Sequence, residues 1–278
     1  MPITQQRWDT ARAAVAAGGE RFAELVAASD GRSMATADWS VADTVAHVAA
    51  IASMYTRLVR FDEPAIPALQ DQVLATTVDT VADLNARVLA LVDERDPATL
   101  VTRLRSDIDD ILRTTADADP TTPVTWLGDA KVPVCGVLAH LVNELHIHGR
   151  DIARAARKPW PVPPAEAGLF FETFFVEALR YGIGRLLDND EPPSARRIAV
   201  AFRSRHTTPV TIVLRDGQVS VEEPGGPVDA WVRFDPVALN LMLFHRISRT
   251  RAALTGKVAV WGRRPWLLPT FLRTVRCP

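Results

Sequence analysis

Hydrophobic residues recur at helical intervals over most of this chain and alternate with polar residues only in its last part. A period near 3.6 residues predicts amphipathic helices, whereas alternation predicts strands. The longest clean helical pattern runs from Val132 to Arg157, and one broad stripe collects its apolar side chains, Val137, Leu138, Leu141, Val142, Leu145 and Ile152. This segment is therefore predicted to be a helix that buries a wide face.

Three further helical segments are predicted before it. Thr4–Ala28 forms the first, with an expected kink at Gly18-Gly19. The second begins at the capping-box pattern Ser40–Asp43, and the third spans Thr77–Ala116 with an interruption at Asp96-Pro97. Four main helices in succession predict a four-helix bundle.

The pattern changes after Lys158, where closely spaced prolines indicate a restrained linker. A further apolar helix is predicted over Ala165–Leu187, and its aromatic cluster Phe170–Phe175 is interpreted as core or interdomain packing. From Arg196 the period falls to two, which predicts strands. The Asp216-Gly217 pair predicts a hairpin between two of them.

Helical character returns at Pro236–Ile247 and Pro265–Val275, so the last part is predicted to be a small α+β unit, a short antiparallel meander backed by helices. A length of 278 residues also exceeds one average domain. The predicted organisation is a helical bundle over residues 1–157, a linker and connecting helix over residues 158–195, and an α+β domain over residues 196–278.

Side chains able to bind a metal lie at the edges of two of these apolar stripes. Glu144 and His148 are four residues apart, so they lie one helical turn from each other. A catalytic zinc-type site needs at least three protein ligands. His47, at the edge of the second helix, is the best candidate for the third. Each residue alone is more often a packed or ion-paired side chain, and only their combination favours a metal site.

Three neighbouring residues receive lesser roles. His140 is interpreted as a supporting or structural residue, and Asp151 as a group that orients His148 or caps a neighbouring helix. His146 falls on the opposite edge of the helix and is expected to be exposed.

These motifs resemble those of a known family. The pair W-S-x-x-D-x-x-x-H (Trp39 to His47) and H-x-x-x-E-x-x-x-H-x-x-D (His140 to Asp151) is similar to the metal-binding domain of the mycothiol-dependent maleylpyruvate isomerase family, within the DinB-like four-helix bundles. The resemblance covers roughly the first 155 residues. It implies that His47, Glu144 and His148 bind zinc or another divalent ion, and that the C-terminal part is akin to sterol carrier proteins.

The resemblance also implies an activity. A metal-bound thiol is deprotonated, and the thiolate is the reactive nucleophile. The expected enzyme activates a low-molecular-weight thiol, mycothiol, for S-transfer to, or cis–trans isomerisation of, a small electrophile such as maleylpyruvate. The alternative is a non-catalytic carrier of a small ligand or lipid with a structural metal site.

Composition limits the classes of binding partner and the cellular location that are expected for the protein. A formal net charge of −1 argues against nucleic acid or an anionic membrane as a partner. The N-terminus lacks a secretory signal and no apolar run is long enough to span a membrane, so a cytoplasmic location is expected. Lysine is nearly absent, which indicates a GC-rich genome and is compatible with an actinobacterial source.

The two cysteines and a run of basic residues near the C-terminus are the remaining candidate functional groups. Cys135 and Cys277 show no metal-binding spacing, which is typical of a reduced protein. From Met242 onward the chain carries eight arginines and lysines and no acidic residue. The default interpretation is a solvated basic surface, and the alternative is a surface that faces the metal cleft and binds polar groups of a substrate or thiol.

Overall fold

The computed structural model of the protein describes residues 3–62, 64–189 and 195–276. Its first part contains the helices α1 Gln5–Ala27, α2 Val41–Val59, α3 Gln70–Ala75, α4 Val81–Ala90, α5 Pro97–Thr114 and α6 Val134–Ala155, with the strands β1 Pro123–Thr125 and β2 Lys131–Pro133 before α6. Its second part contains α7 Pro164–Leu169, a π-helical turn Phe170–Phe175, α8 Val176–Tyr181, α9 Pro236–Leu243, α10 Arg249–Leu254 and α11 Leu268–Thr274. The strands of this part are β3 Ile198–Arg203, β4 Val210–Arg215, β5 Gln218–Glu222, β6 Ala230–Phe234 and β7 Val258–Trp261.

The predicted four-helix bundle is confirmed, and it consists of α1, α2, α5 and α6. Helices α1 and α2 each pack against both α5 and α6. The segment predicted as one interrupted helix is two helices, because Asp96 caps α5 by accepting a hydrogen bond from the Thr99 amide at 2.9 Å and Pro97 occupies its first turn. Only α5 joins the bundle, whereas α4 packs against α2.

Helix α1 continues through Gly18-Gly19 without a break. Both glycines are buried, and a Cβ atom would lie 3.4 Å from Leu145 at residue 18 and 2.5 Å from Ile108 at residue 19. Gly19 therefore allows α1 to approach α5 closely, whereas residue 18 has room for a Cβ beside α6, and the pair does not interrupt α1, contrary to expectation.

Helix α6 is buried on nearly every side, including the side expected to face solvent. The expectation that His146 is exposed was wrong, since its residue is 3 % exposed and its Nε2 lies 3.1 Å from Oε2 of Glu166. The reason is tertiary. After the prolines, the chain folds back and places α7 against α6, while the Trp160 indole donates a hydrogen bond to the His146 carbonyl at 3.1 Å.

Gly149 of α6 makes this return possible. A Cβ at this position would lie 2.2 Å from Cζ2 of the Trp160 ring. We expect Gly149→Ala to lower the free energy of unfolding by about 1–3 kcal/mol through overpacking, although alanine normally stabilises a helix interior relative to glycine. Gly18→Ala, which meets its nearest neighbour at 3.4 Å, is the matched control and should be neutral or stabilising. Urea unfolding of both variants checks this, and equal stabilities would contradict the packing role of Gly149.

The predicted α+β unit is confirmed, with one change in topology. Its five-stranded sheet has the order β5-β4-β3-β6-β7. The Asp216-Gly217 hairpin is present, with φ of 52° and 77° at the two residues. The β3 and β6 strands are parallel, because the chain crosses from β5 to the far side of β3. The sheet is thus mainly antiparallel but is not a simple meander.

The phenylalanines of the π-helical turn pack in two directions. Phe170 and Phe174 lie with ring centroids 5.9 and 4.6 Å from His140 of α6. Phe171 lies 5.4 Å from Phe202 and 4.9 Å from Phe234 of the sheet. The turn is therefore a shared layer between the bundle and the sheet, as the core-packing interpretation expected.

The predicted limits of the domains, between residues 157 and 158 and between residues 195 and 196, stay a prediction. Cys277 lies outside the described residues. No helix in the described part of the chain combines the length and the apolar character needed to cross a membrane.

Candidate metal centre

Helices α2 and α6 bring His47, Glu144 and His148 to one point. The capping box of Ser40 and Asp43 defines where α2 begins, and His47 follows two turns later. The Nε2 atoms of His47 and His148 lie 3.4 and 3.3 Å from Oε2 of Glu144. The three residues are only 4 %, 6 % and 7 % exposed, and their candidate ligand atoms all lie within 4.8 Å of one another.

The donor set and its spacing fit a divalent ion of the zinc type. Zinc binds imidazole nitrogens and carboxylate oxygens at about 2.0–2.1 Å, so two ligands of a tetrahedral ion are about 3.3 Å apart. The two nitrogen-to-oxygen distances around Glu144 have this value. The structure thus brings together all three residues that the sequence assigned to the metal, and the assignment itself stays a prediction.

The charges of the cluster are arranged around an ionised carboxylate. Burial raises the pKa of Glu144, but hydrogen bonds with His148 and His47 outweigh burial and hold that pKa well below its usual range. Burial lowers the pKa of His47. Burial acts in the same direction on His148, yet Asp151 and Glu144 outweigh it, so the pKa of His148 is raised. A buried anion between two imidazoles is a setting that a cation would stabilise.

His140 lies beside this cluster but outside the three-residue set. Its Nδ1 is 3.7 Å from Oε1 of Glu144 and 2.9 Å from the Tyr55 hydroxyl. Burial raises the pKa of Tyr55 and lowers that of His140, so both groups favour their neutral forms, and the tautomer of His140 sets which of the two donates. The Trp126 indole in turn donates to Tyr55 Oη at 3.1 Å. This buried chain of hydrogen-bonded groups agrees with the expectation that His140 stabilises the surroundings of the cluster and does not belong to the three-residue set.

A protein-family profile described as the mycothiol maleylpyruvate isomerase N-terminal domain matches residues 11–153. The match spans just over half of the chain and includes His47, Glu144 and His148. The chain belongs to this family. The resemblance seen in the sequence motifs is thereby confirmed.

The solved structures that are similar to the chain include the following two. One is a crystal structure of the mycothiol-dependent maleylpyruvate isomerase, at 14 % identity, a TM-score of 0.47, and coverage of 94 % of this chain and 93 % of the other. The second is a histidine-to-alanine variant of a protein of that description, at 12 % identity, a TM-score of 0.48, and coverage of 87 % and 88 %. No curated protein matches the chain.

In this family member, Asp151 near the end of the matched region and Arg246 outside it reach the surroundings of the candidate metal centre. Asp151 ends the motif on α6, with Oδ2 3.6 Å from Nδ1 of His148. Arg246, which follows α9, forms an ion pair with Asp151 in which Nη2 lies 2.6 Å from Oδ2. Burial raises the pKa of Asp151, but His148 and Arg246 outweigh it and lower that pKa. The expectation that Asp151 orients His148 agrees with this geometry, since metal-binding histidines usually direct their second nitrogen to a carboxylate or carbonyl.

The three candidate ligands line a cavity of about 210 Å³. Aromatic side chains contribute much of its wall, namely Trp39, Tyr55, Trp126 and Phe244. The Trp39 ring lies 4.7 Å from the ring of His47 and 6.0 Å from that of His148, so it holds both imidazoles in place.

Several lining residues were missed at the sequence level. Tyr55 lies eight residues after His47, about two turns along the same face of α2, and this spacing was an available signal. Phe244 carried no such signal, whereas Arg246 belongs to the basic run after Met242, whose alternative interpretation was a surface that faces the metal cleft. Only the tertiary packing of α9 brings both residues to α6. The predicted basic surface is partly paired, since Arg246, Lys257 and Arg264 form ion pairs with Asp151, Asp235 and Asp229.

Proposed function

We propose that this protein is a divalent-metal-dependent enzyme that activates a low-molecular-weight thiol, mycothiol, for S-transfer to, or cis–trans isomerisation of, a small electrophile. The observation that carries this proposal is the set of His47, Glu144 and His148, spaced as ligands of one ion at the wall of a cavity. Membership of the mycothiol maleylpyruvate isomerase family supports the choice of thiol.

His47, Glu144 and His148 would hold the ion, and zinc is the ion that this donor set favours. When bound, such an ion supplies a Lewis acid that lowers the pKa of a thiol at an open position. The side chains of the protein prepare that position. Asp151, which Arg246 holds by an ion pair, orients His148, Trp39 packs beside both imidazole rings, and aromatic side chains line the position.

The protein's own described cysteine is not the thiol of this scheme. Cys135 is buried in α6, and burial raises its pKa to about 12. It precedes His148 by thirteen residues, which at about 1.5 Å per residue is roughly 20 Å along the helix. The proposed scheme therefore takes its reactive thiol from a small molecule and not from Cys135.

Elemental analysis combined with an activity assay tests the proposal. We expect about one divalent ion per chain at the three-ligand site. We also expect mycothiol-dependent conversion of an electrophile, followed as thiol consumption for S-transfer and as cis–trans conversion for isomerisation, that stops when a chelator removes the ion and resumes when zinc is restored. Mycothiol-dependent conversion that is unaffected by complete metal removal would overturn the proposal. Absence of metal together with a co-purified lipid would favour the carrier alternative.

The metal affinity should depend on pH through His148. An imidazole binds metal only when it is neutral, and Asp151 and Glu144 raise the pKa of His148 above its ordinary 6.5 despite its burial. Protons therefore compete with the ion as pH falls through this raised pKa, so the Kd should begin to rise while the pH is still above 6.5.

Competition with a chelating indicator between about pH 8.5 and pH 5.5 measures this dependence. Asp151→Asn removes a group that raises the pKa of His148, so it should move the onset to lower pH while weakening binding by roughly 10–100-fold at high pH. An affinity that is flat down to pH 6 in the unsubstituted protein would contradict the prediction.

A further inference from the structure

The cavity beside the three candidate ligands is walled mainly by uncharged side chains. Helix α4 presents Val81, Leu84 and Val88 at intervals of three and four residues, which places them on one face. Helix α2 adds Ile51 and Met54 from the bundle side. A molecule that enters this cavity therefore contacts aliphatic and aromatic groups over most of its surface.

The cationic groups of this cavity are already balanced. Among the described residues that line it, Arg246 is the single arginine or lysine. Its Nε lies 3.2 Å and its Nη2 lies 2.6 Å from Oδ2 of the buried Asp151, and its Nη1 donates to the Phe244 carbonyl at 2.7 Å. The charge of a divalent ion would likewise be balanced by Glu144 and one thiolate. Among the lining residues that the structure describes, no arginine or lysine is therefore left unpaired for an anionic substrate.

We propose that the electrophile taken by this site is uncharged and largely apolar, and that dicarboxylates are poor substrates. This inference rests on the proposed function and narrows it. Maleylpyruvate carries two carboxylates, and burying a carboxylate without a charged partner costs several kcal/mol. An α,β-unsaturated ester or ketone loses no such solvation. Addition of a thiol across its double bond breaks the S–H bond and the π bond of the C=C group and forms one C–S bond and one C–H bond, so no further reagent is required.

Binding to the metal-free protein tests this preference independently of catalysis. Diethyl succinate and succinate share a saturated backbone and cannot react with a thiol. Titration calorimetry should show at least about tenfold tighter binding of the diester, because only the dianion loses charge solvation in the cavity. Equal or tighter binding of succinate would overturn the inference.

Turnover by the zinc-loaded protein gives a second reading. Dimethyl maleate and maleate are each offered as the electrophile in the presence of mycothiol. The enzymatic rate for each electrophile is divided by the uncatalysed rate of its reaction with mycothiol. We expect the normalised kcat/KM to be at least about tenfold higher for the diester. A higher normalised value for maleate would overturn the inference while leaving the proposed function intact. If neither substrate reacts but the diester still binds preferentially, the proposed function fails and the cavity preference stands.

Adding one positive charge to α4 tests whether the side of the cavity formed by this helix causes the preference for the diester. Val88→Lys introduces an ammonium group into the cavity lining and should reduce the diester preference by about tenfold in both measurements. Ala86→Lys adds the same charge to the same helix at an exposed position outside the lining, and it should leave the preference unchanged. Identical responses of the two variants would contradict a role for the α4 wall in selecting the substrate.

Discussion

Replacing His148 with alanine is expected to reduce bound divalent metal from about one ion per chain to almost none. Two protein ligands, His47 and Glu144, would remain, and a zinc site of the catalytic kind needs three. The loss of affinity should exceed the roughly 10–100-fold effect expected for Asp151→Asn, which removes an orienting partner and leaves the ligand in place. Elemental analysis after equilibration with limiting zinc measures the bound metal in the unsubstituted protein, His148→Ala and Asp151→Asn.

His146→Ala is the matched control for this prediction. It removes another buried imidazole from α6, but one that pairs with Glu166 and lies outside the three-residue cluster. Its metal content should stay near one ion per chain, even if the fold is somewhat less stable. Full metal content in His148→Ala would remove His148 from the ligand set. Equal losses in both variants would point to unfolding, which circular dichroism would detect.

Thiol-dependent turnover should be nearly abolished by Glu144→Gln and almost unaffected by a Cys135→Ala/Cys277→Ala double variant. Glutamine keeps the size of Glu144 but removes the anion that draws a divalent ion between the two histidines. We expect a loss larger than about 100-fold, beyond the range typical of residues that only support a metal ligand. Cys135 is excluded from the chemistry by its burial and its raised pKa of about 12.

Mycothiol-dependent conversion of the electrophile under saturating zinc provides the measurement for both variants, and unfolding curves show that each is folded. Saturating zinc separates a lost ligand from a lost catalytic step, because a weakened site is partly refilled. A double cysteine variant that is inactive beside a fully active Glu144→Gln would place the chemistry on a protein thiol. The metal-thiolate proposal would then have to be withdrawn.

The sequence was informative where a feature depends on local spacing. Glu144 and His148 face one side of α6 because four residues make about one turn, and His47 was placed beside them because it lies at the edge of a matching apolar stripe. The same reasoning failed for His146. Its position on the helix was predicted correctly, but its burial depends on α7, which returns to α6 only after a run of prolines.

The local pattern by itself predicted the bundle helices, strands in the last part of the chain and the spacing of the three candidate ligands, because helical and strand periods and capping residues act within a few positions of the chain. It did not predict the short elements β1, β2, β7, α3 and α10. The tertiary structure decided the rest. It brought Arg246 to Asp151 across 95 residues of sequence, placed α4 over the cavity, and paired β3 with β6 in parallel. Such contacts depend on how separate elements pack, and the side chains that meet there carry no shared period along the sequence.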